Sequence, residues 1–130
     1  MTTLLIITAA LEAATGLALS LVPDVVVSVL LGTAHDEPAA TTVSRVAGAA
    51  LLAVALACWL ARHNGRALVI AMLLYNSATV VVLAHAGLGL GLSGIGLWPA
   101  VGLHTALAVW CVACLSKQRV RPQHSSTQTG

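Results

Sequence analysis

LLIITAALEAATGLALSLV, residues 4–22, is an apolar run of membrane length with a single carboxylate, Glu12, near its middle. A hydrocarbon core about 30 Å thick is crossed by roughly 20 apolar residues in a helix, which this run supplies. A charge at mid-bilayer costs roughly 2.5 to 3.5 kcal/mol on insertion scales, so such a residue turns toward a bundle interior where another polar group compensates it. Glu12 lies on one helical face with Ala9, Gly16 and Ser20. The other helices are therefore expected to pack around that face and to bring Glu12 a partner.

The rest of the composition agrees. Of 130 residues, 58% are hydrophobic and only 8% charged, against about a quarter charged in an ordinary soluble domain. Apolar runs near residues 3–22, 42–61, 67–86 and 97–115 predict an all-α fold, a four-transmembrane-helix bundle, and leave no room for a separate soluble domain. Residues 1–116 form that membrane domain, and 117–130 (KQRVRPQHSSTQTG) read as a basic, then polar, disordered tail. The first run is expected to remain as a span rather than act as a cleaved signal. No Lys or Arg precedes it, Glu12 interrupts it, and no small-residue cleavage pattern precedes Pro23.

Between the spans the signals are local. Pro23 and Asp24 suit the first turn of a short helix over residues 24–31, because proline at N1 loses no needed donor and an acid there complements the helix dipole. That helix either lies at the membrane interface or extends the first span through a kink. Gly32 closes it, and residues 33–38 (TAHDEP) form the most polar internal loop. In the second span (TTVSRVAGAALLAVALACWLA, residues 41–61), Ala49, Ala53 and Ala57 recur at four-residue spacing and predict a ridge of close helix approach. Arg62-His63-Asn64-Gly65-Arg66 is a tight basic turn between antiparallel helices. Residues 87–96, rich in glycine, predict a flexible or tightly turning connection. Trp98 is expected near one interface, with Trp59 and Trp110 near the other.

Charge placement predicts orientation. Arg62, Arg66, Lys117, Arg119 and Arg121 lie on one side, whereas the other side has only Arg45 against Asp24, Asp36 and Glu37. The positive-inside rule then places a multi-pass chain in the cell membrane with both termini cytoplasmic. Basic residues that flank spans are explained by lipid phosphates, so the expected partner is the bilayer, with a homo-oligomer or larger membrane complex possible and no nucleic acid.

Counting helical rise, Glu12 lies about 13 Å and Asn76 about 15 Å from the cytoplasmic face, His104 about 20 Å and Arg45 about 25 Å. These four residues form the candidate polar cluster, a ladder in which Arg45 reaches inward to Glu12 directly or through His104; the alternative is that Arg45 extends to the outer surface and Glu12 is a lone protonated acid bonded to Asn76. Tyr75, Cys111 and Cys114 are accessory candidates. Cys111-Val112-Ala113-Cys114 is a C-x-x-C of the kind used by membrane thiol oxidoreductases, but its position in the cytoplasmic half of a span and the lack of loop cysteines to relay electrons favour two small core residues. His85 lies near the far end of the third span, so two haem ligands at one depth are not available within one chain, and only a dimer would supply a second His104. No catalytic triad, zinc spacing or paired carboxylate emerges, and neither metal nor cofactor is implied.

The segments LEAATGLALSLVP (11–23), SRVAGAALL (44–52), CWLAR (58–62) and MLLYN (72–76) together resemble a family of small uncharacterised four-helix integral membrane proteins of bacteria. The resemblance covers most of the chain except the tail and implies architecture alone. The functional expectation is a small structural or accessory subunit of a membrane assembly and not an enzyme. The alternatives are a proton-linked small-solute carrier using the polar ladder, and a membrane thiol or quinone oxidoreductase.

Overall fold

The computed structural model describes residues 1–33 and 37–119, which form five helices and no strand: α1 (Thr2–Leu21), α2 (Pro23–Leu31), α3 (Pro38–Leu60), α4 (Arg66–Leu88) and α5 (Leu97–Arg119). Four of them, α1, α3, α4 and α5, are long and apolar enough to cross a membrane. The protein is a multi-pass membrane protein. Two ends moved from their expected places. Helix α3 begins at Pro38 rather than near Thr42, because proline at N1 has the helical φ already set. Helix α5 runs to Arg119, so the start of the expected tail is helical, with Lys117 near the negative end of the dipole. The rest of that tail, 120–130, lies outside the described residues, as do 34–36 of the polar loop.

Helices α1 and α3 form one tight pair and α4 and α5 the other. The first pair meets at two glycines. A Cβ placed on Gly16 would lie 2.8 Å from the carbonyl oxygen of Gly48, and one on Gly48 would lie 2.7 Å from that of Gly16. Lipid tails are as apolar as leucine, so association in a membrane rests on such close packing. The expected ridge of Ala49, Ala53 and Ala57 is not the contact: all three are exposed, while Gly48 and Ala55 are buried. Removing a Cβ brings the backbones together at Gly48, and the neighbouring alanine row turns outward.

Helix α2 is a separate element. Val22 leaves helical geometry (φ −134°, ψ 57°), Pro23 starts the new helix, and Gly32 closes it with a left-handed φ of 72°. Asp24 links it to α3 by accepting from the Thr41 hydroxyl at 3.4 Å. The glycine-rich connection is docked on this helix rather than free. The Gly96 N–H donates to the Val29 carbonyl at 2.8 Å, and a Cβ on the buried Gly94 would run into the backbone of Val29 and Leu30. Gly94 and Gly96 serve close approach, whereas Gly91 has open space around it and takes a left-handed φ of 70°.

The interior is unequal along its length. At the Arg62–Arg66 end, Leu4, Leu5 and Ala9 of α1, Cys58 of α3, Val69 and Met72 of α4, and Leu107 and Cys111 of α5 form one dense cluster. There Trp59 and Arg62 pair at the surface, the guanidinium 4.5 Å from the ring centroid and donating to the Trp59 carbonyl at 2.6 Å. The α2 end is looser. Between the two lies a polar level.

Candidate functional site

Successive helical residues point about 100° apart, so Tyr75 and Asn76 on α4 face different neighbours. Asn76, fully buried, faces α5. Its Nδ2 donates to the Met72 carbonyl at 2.7 Å, and its Oδ1 lies 2.7 Å from His104 Nδ1. The Met72 carbonyl can only accept, which orients the amide and makes Oδ1 the acceptor for the ring. His104 Nδ1 therefore carries the proton, and in the neutral ring Nε2 keeps a lone pair. Tyr75 faces the first span, and its hydroxyl donates to Glu12 Oε2 at 3.2 Å. The Tyr75 and His104 rings meet edge to face, centroids 5.8 Å apart. Thr79 donates to the Tyr75 carbonyl at 2.9 Å, one turn along. Glu12, Tyr75, Asn76 and His104 thus form one connected group that ties α1 to the α4–α5 pair.

Arg45 is not part of it. Its side chain is exposed on α3 and makes no ion pair with Glu12. Because Gly16 and Gly48 lie level in an antiparallel pair, Glu12 and Arg45 fall on opposite sides of the crossing, about 10 Å apart along the axis at 1.5 Å per residue. The expected inward reach of Arg45 is replaced by the Tyr75 hydroxyl. Cys111 is buried in the dense cluster, Cys114 is half-buried at its edge, and both are free thiols. Tyr75, expected only as an accessory, is the acid's partner. Thr8, one turn before Glu12, is buried as well, and its i, i+4 spacing to the acid is the only sign of this in the sequence.

On the α2 side of this polar level lies a cavity of about 580 Å³. Its walls include Ala18, Leu30, Leu51 and Leu83, and its polar end is made by Tyr75, Thr79 and His104. No single-sequence pattern announces it, since it depends on α2 being brought against residues of α1, α3, α4 and α5.

No protein-family model, curated protein or solved structure matches the chain.

Glu12 is the sole acid within the four spans, so no carboxylate pair exists there for acid–base catalysis. Among the described residues, no group of three or more His, Cys, Asp or Glu is placed to share a metal ion. No sealed side-chain nitrogen or oxygen among them lacks a hydrogen-bond partner. Interhelical hydrogen bonds in membranes are worth about 0.6 kcal/mol on average, with a maximum of about 1.7 kcal/mol. Thermal unfolding of Glu12→Gln, Tyr75→Phe and the double variant is expected to give a coupling within that range, whereas Glu12→Gln and Arg45→Gln are expected to add. Additivity in the first cycle, or coupling in the second, would reverse the assignment of the acid's partner.

Proposed function

We propose that the chain is a small structural or accessory subunit of a membrane assembly, resident in the bacterial inner membrane with both termini in the cytoplasm and α2 at the outer interface. The observation that carries this reading is that Glu12, Tyr75, Asn76 and His104 are bonded to one another across α1, α4 and α5. A solute path would need several polar groups left over to line it, and most of the side-chain donors here are already engaged within the protein. Here they act as fasteners between two helix pairs whose apolar surfaces give little drive to associate in lipid. The outer faces carry many exposed aliphatic side chains, among them Val43, Val46, Leu74, Val81 and Val82, available to lipid or to a neighbouring span. Orientation is supported by the basic residues at the Arg62–Arg66 end and at the end of α5.

Native mass spectrometry of the protein extracted in mild detergent is the deciding experiment. A defined assembly heavier than the 13.2 kDa chain, with a second polypeptide or with copies of itself, is expected. A bare monomer would overturn the proposal. A periplasm-active reporter fused after Gln128 is expected to be silent, and activity there would invert the orientation.

One observation favours a second reading, a proton-linked carrier: the cavity ends on Tyr75 and His104, with Glu12 bonded behind Tyr75. On that reading, Glu12→Gln protein would fold and lose a proton-coupled flux in proteoliposomes. The subunit reading expects no flux to lose. A thiol or quinone oxidoreductase has less support, because Cys111 packs in the dense apolar cluster.

A further inference from the structure

We infer that the cavity between α2 and the polar level binds a membrane-soluble apolar alcohol, with the ligand's hydroxyl donating to Nε2 of His104 and its hydrocarbon chain lying toward α2. This site is independent of the assembly proposed above, since a structural subunit and a carrier could each hold such a ligand.

The chemical class follows from where the protons already are. At the polar end of the cavity the Thr79 hydroxyl donates to the Tyr75 carbonyl, the Tyr75 hydroxyl to Glu12, and His104 Nδ1–H to Asn76. Each donor of these three residues is engaged away from a ligand. What they have left is lone pairs, and His104 Nε2 is the strongest acceptor among them. No side-chain nitrogen or oxygen of the described interior is both sealed and unpartnered, so the unbonded Nε2 borders open space, and His104 lines this cavity. An occupant must therefore supply a hydrogen. Thr15, exposed on α1 in the same lining, has a hydroxyl that can donate in return. A hydroxyl head both donates and accepts and matches this set. A carbonyl or ether head only accepts and leaves Nε2 unpaired.

Size and surroundings exclude a small hydrophilic ligand. At about 30 Å³ per water in the liquid, the cavity of about 580 Å³ holds the equivalent of a chain of many carbons. From Tyr75 to Leu83 its α4 wall extends about 12 Å. Ala18, Leu30, Leu51 and Leu83 offer nothing polar along that length. Drug-sized sites are typically 300–1,000 Å³, mostly apolar, with a few polar groups that fix orientation, and this one has that form.

The test uses the full chain, labelled with ¹⁵N-histidine, in phosphatidylcholine nanodiscs titrated with dodecan-1-ol or with dodecane. The His104 resonances are assigned by their loss in His104→Gln. Dodecan-1-ol is expected to move the His104 Nε2 signal upfield with saturation and to raise the unfolding temperature. Dodecane at the same membrane mole fraction is expected to leave the Nε2 signal in place. Ala18→Phe, which fills the cavity away from the polar end, should abolish the alcohol response while keeping the Nδ1–H signal of the bond to Asn76. Leu83→Trp provides a second filled cavity if Ala18→Phe does not fold. Equal responses to alcohol and alkane would mean that the space is only an acyl-chain crevice, and would overturn the inference. So would a non-saturating response, or one that survives in a folded, filled variant. Because the readout is a ring nitrogen in the single chain, failure here leaves the assembly proposal standing, and a monomer in the mass spectrum leaves this one standing.

Discussion

Gly48→Leu protein is expected not to fold into the described bundle, and Gly48→Ala to lose about 1 to 3 kcal/mol of stability, the usual range for overpacking a close contact. A Cβ on Gly48 would lie 2.6 Å from Ser20 Oγ, 2.7 Å from the Gly16 carbonyl oxygen and 2.9 Å from the Ser20 amide nitrogen. Only the first of these can swing away, and it is held by its own bond to the Gly16 carbonyl at 2.8 Å. The other two are backbone, so relief requires α1 and α3 to separate where their backbones approach. Gly102 on α5 is the control, because a Cβ there has nothing within 4 Å. Gly102→Ala should be neutral or slightly stabilising, as alanine is the better helix former by up to about 1 kcal/mol. Thermal unfolding in detergent compares them. Equal tolerance at both positions would remove the α1–α3 crossing as the organising contact.

The second large effect is expected at Asn76. Asn76→Leu should lose about 1 to 3 kcal/mol, the cost of leaving a buried donor unsatisfied. That exceeds the average worth of a membrane hydrogen bond, about 0.6 kcal/mol, because the His104 Nδ1–H loses its acceptor while remaining half-buried beside Tyr75. The double variant Asn76→Leu/His104→Leu should recover much of the loss, since replacing both partners with apolar groups removes the orphan as well as the bond. The ¹⁵N spectrum of Asn76→Leu should also show a His104 ring no longer held in the Nδ1–H tautomer. If the double variant is less stable than Asn76→Leu alone, the bond is not what the amide contributes. An unchanged tautomer would point the same way.

Both results depend on features that differ in how far they can be read from the chain alone. The four spans are legible because a run of about 20 apolar residues has few folded alternatives to a membrane helix. The inward turn of Glu12 is legible too, since a carboxylate facing hydrocarbon is penalised at every azimuth but one. The pairing of Asn76 with His104 was reachable as a matter of depth, but its bond direction was not. Beyond that, tertiary structure decided. Lipid-facing and core-facing side chains are equally apolar here, so periodicity does not mark which face of α3 is inside. A one-residue uncertainty, worth about 100° of rotation, separates the expected Ala49 ridge from the observed Gly48 contact. The same crossing sets Arg45 and Glu12 on opposite sides and gives the acid to Tyr75. The glycines of residues 87–96 read as a loose connection until Val29 and Leu30 of α2 are brought against Gly94, and the cavity beside His104 exists only once α2 sits against the four long helices. Composition and length determine that the chain forms four membrane-crossing helices with an acid turned inward. Which face meets which, and the space left between them, is decided by backbone approach at a few glycines, a steric property of two segments that neither segment carries by itself.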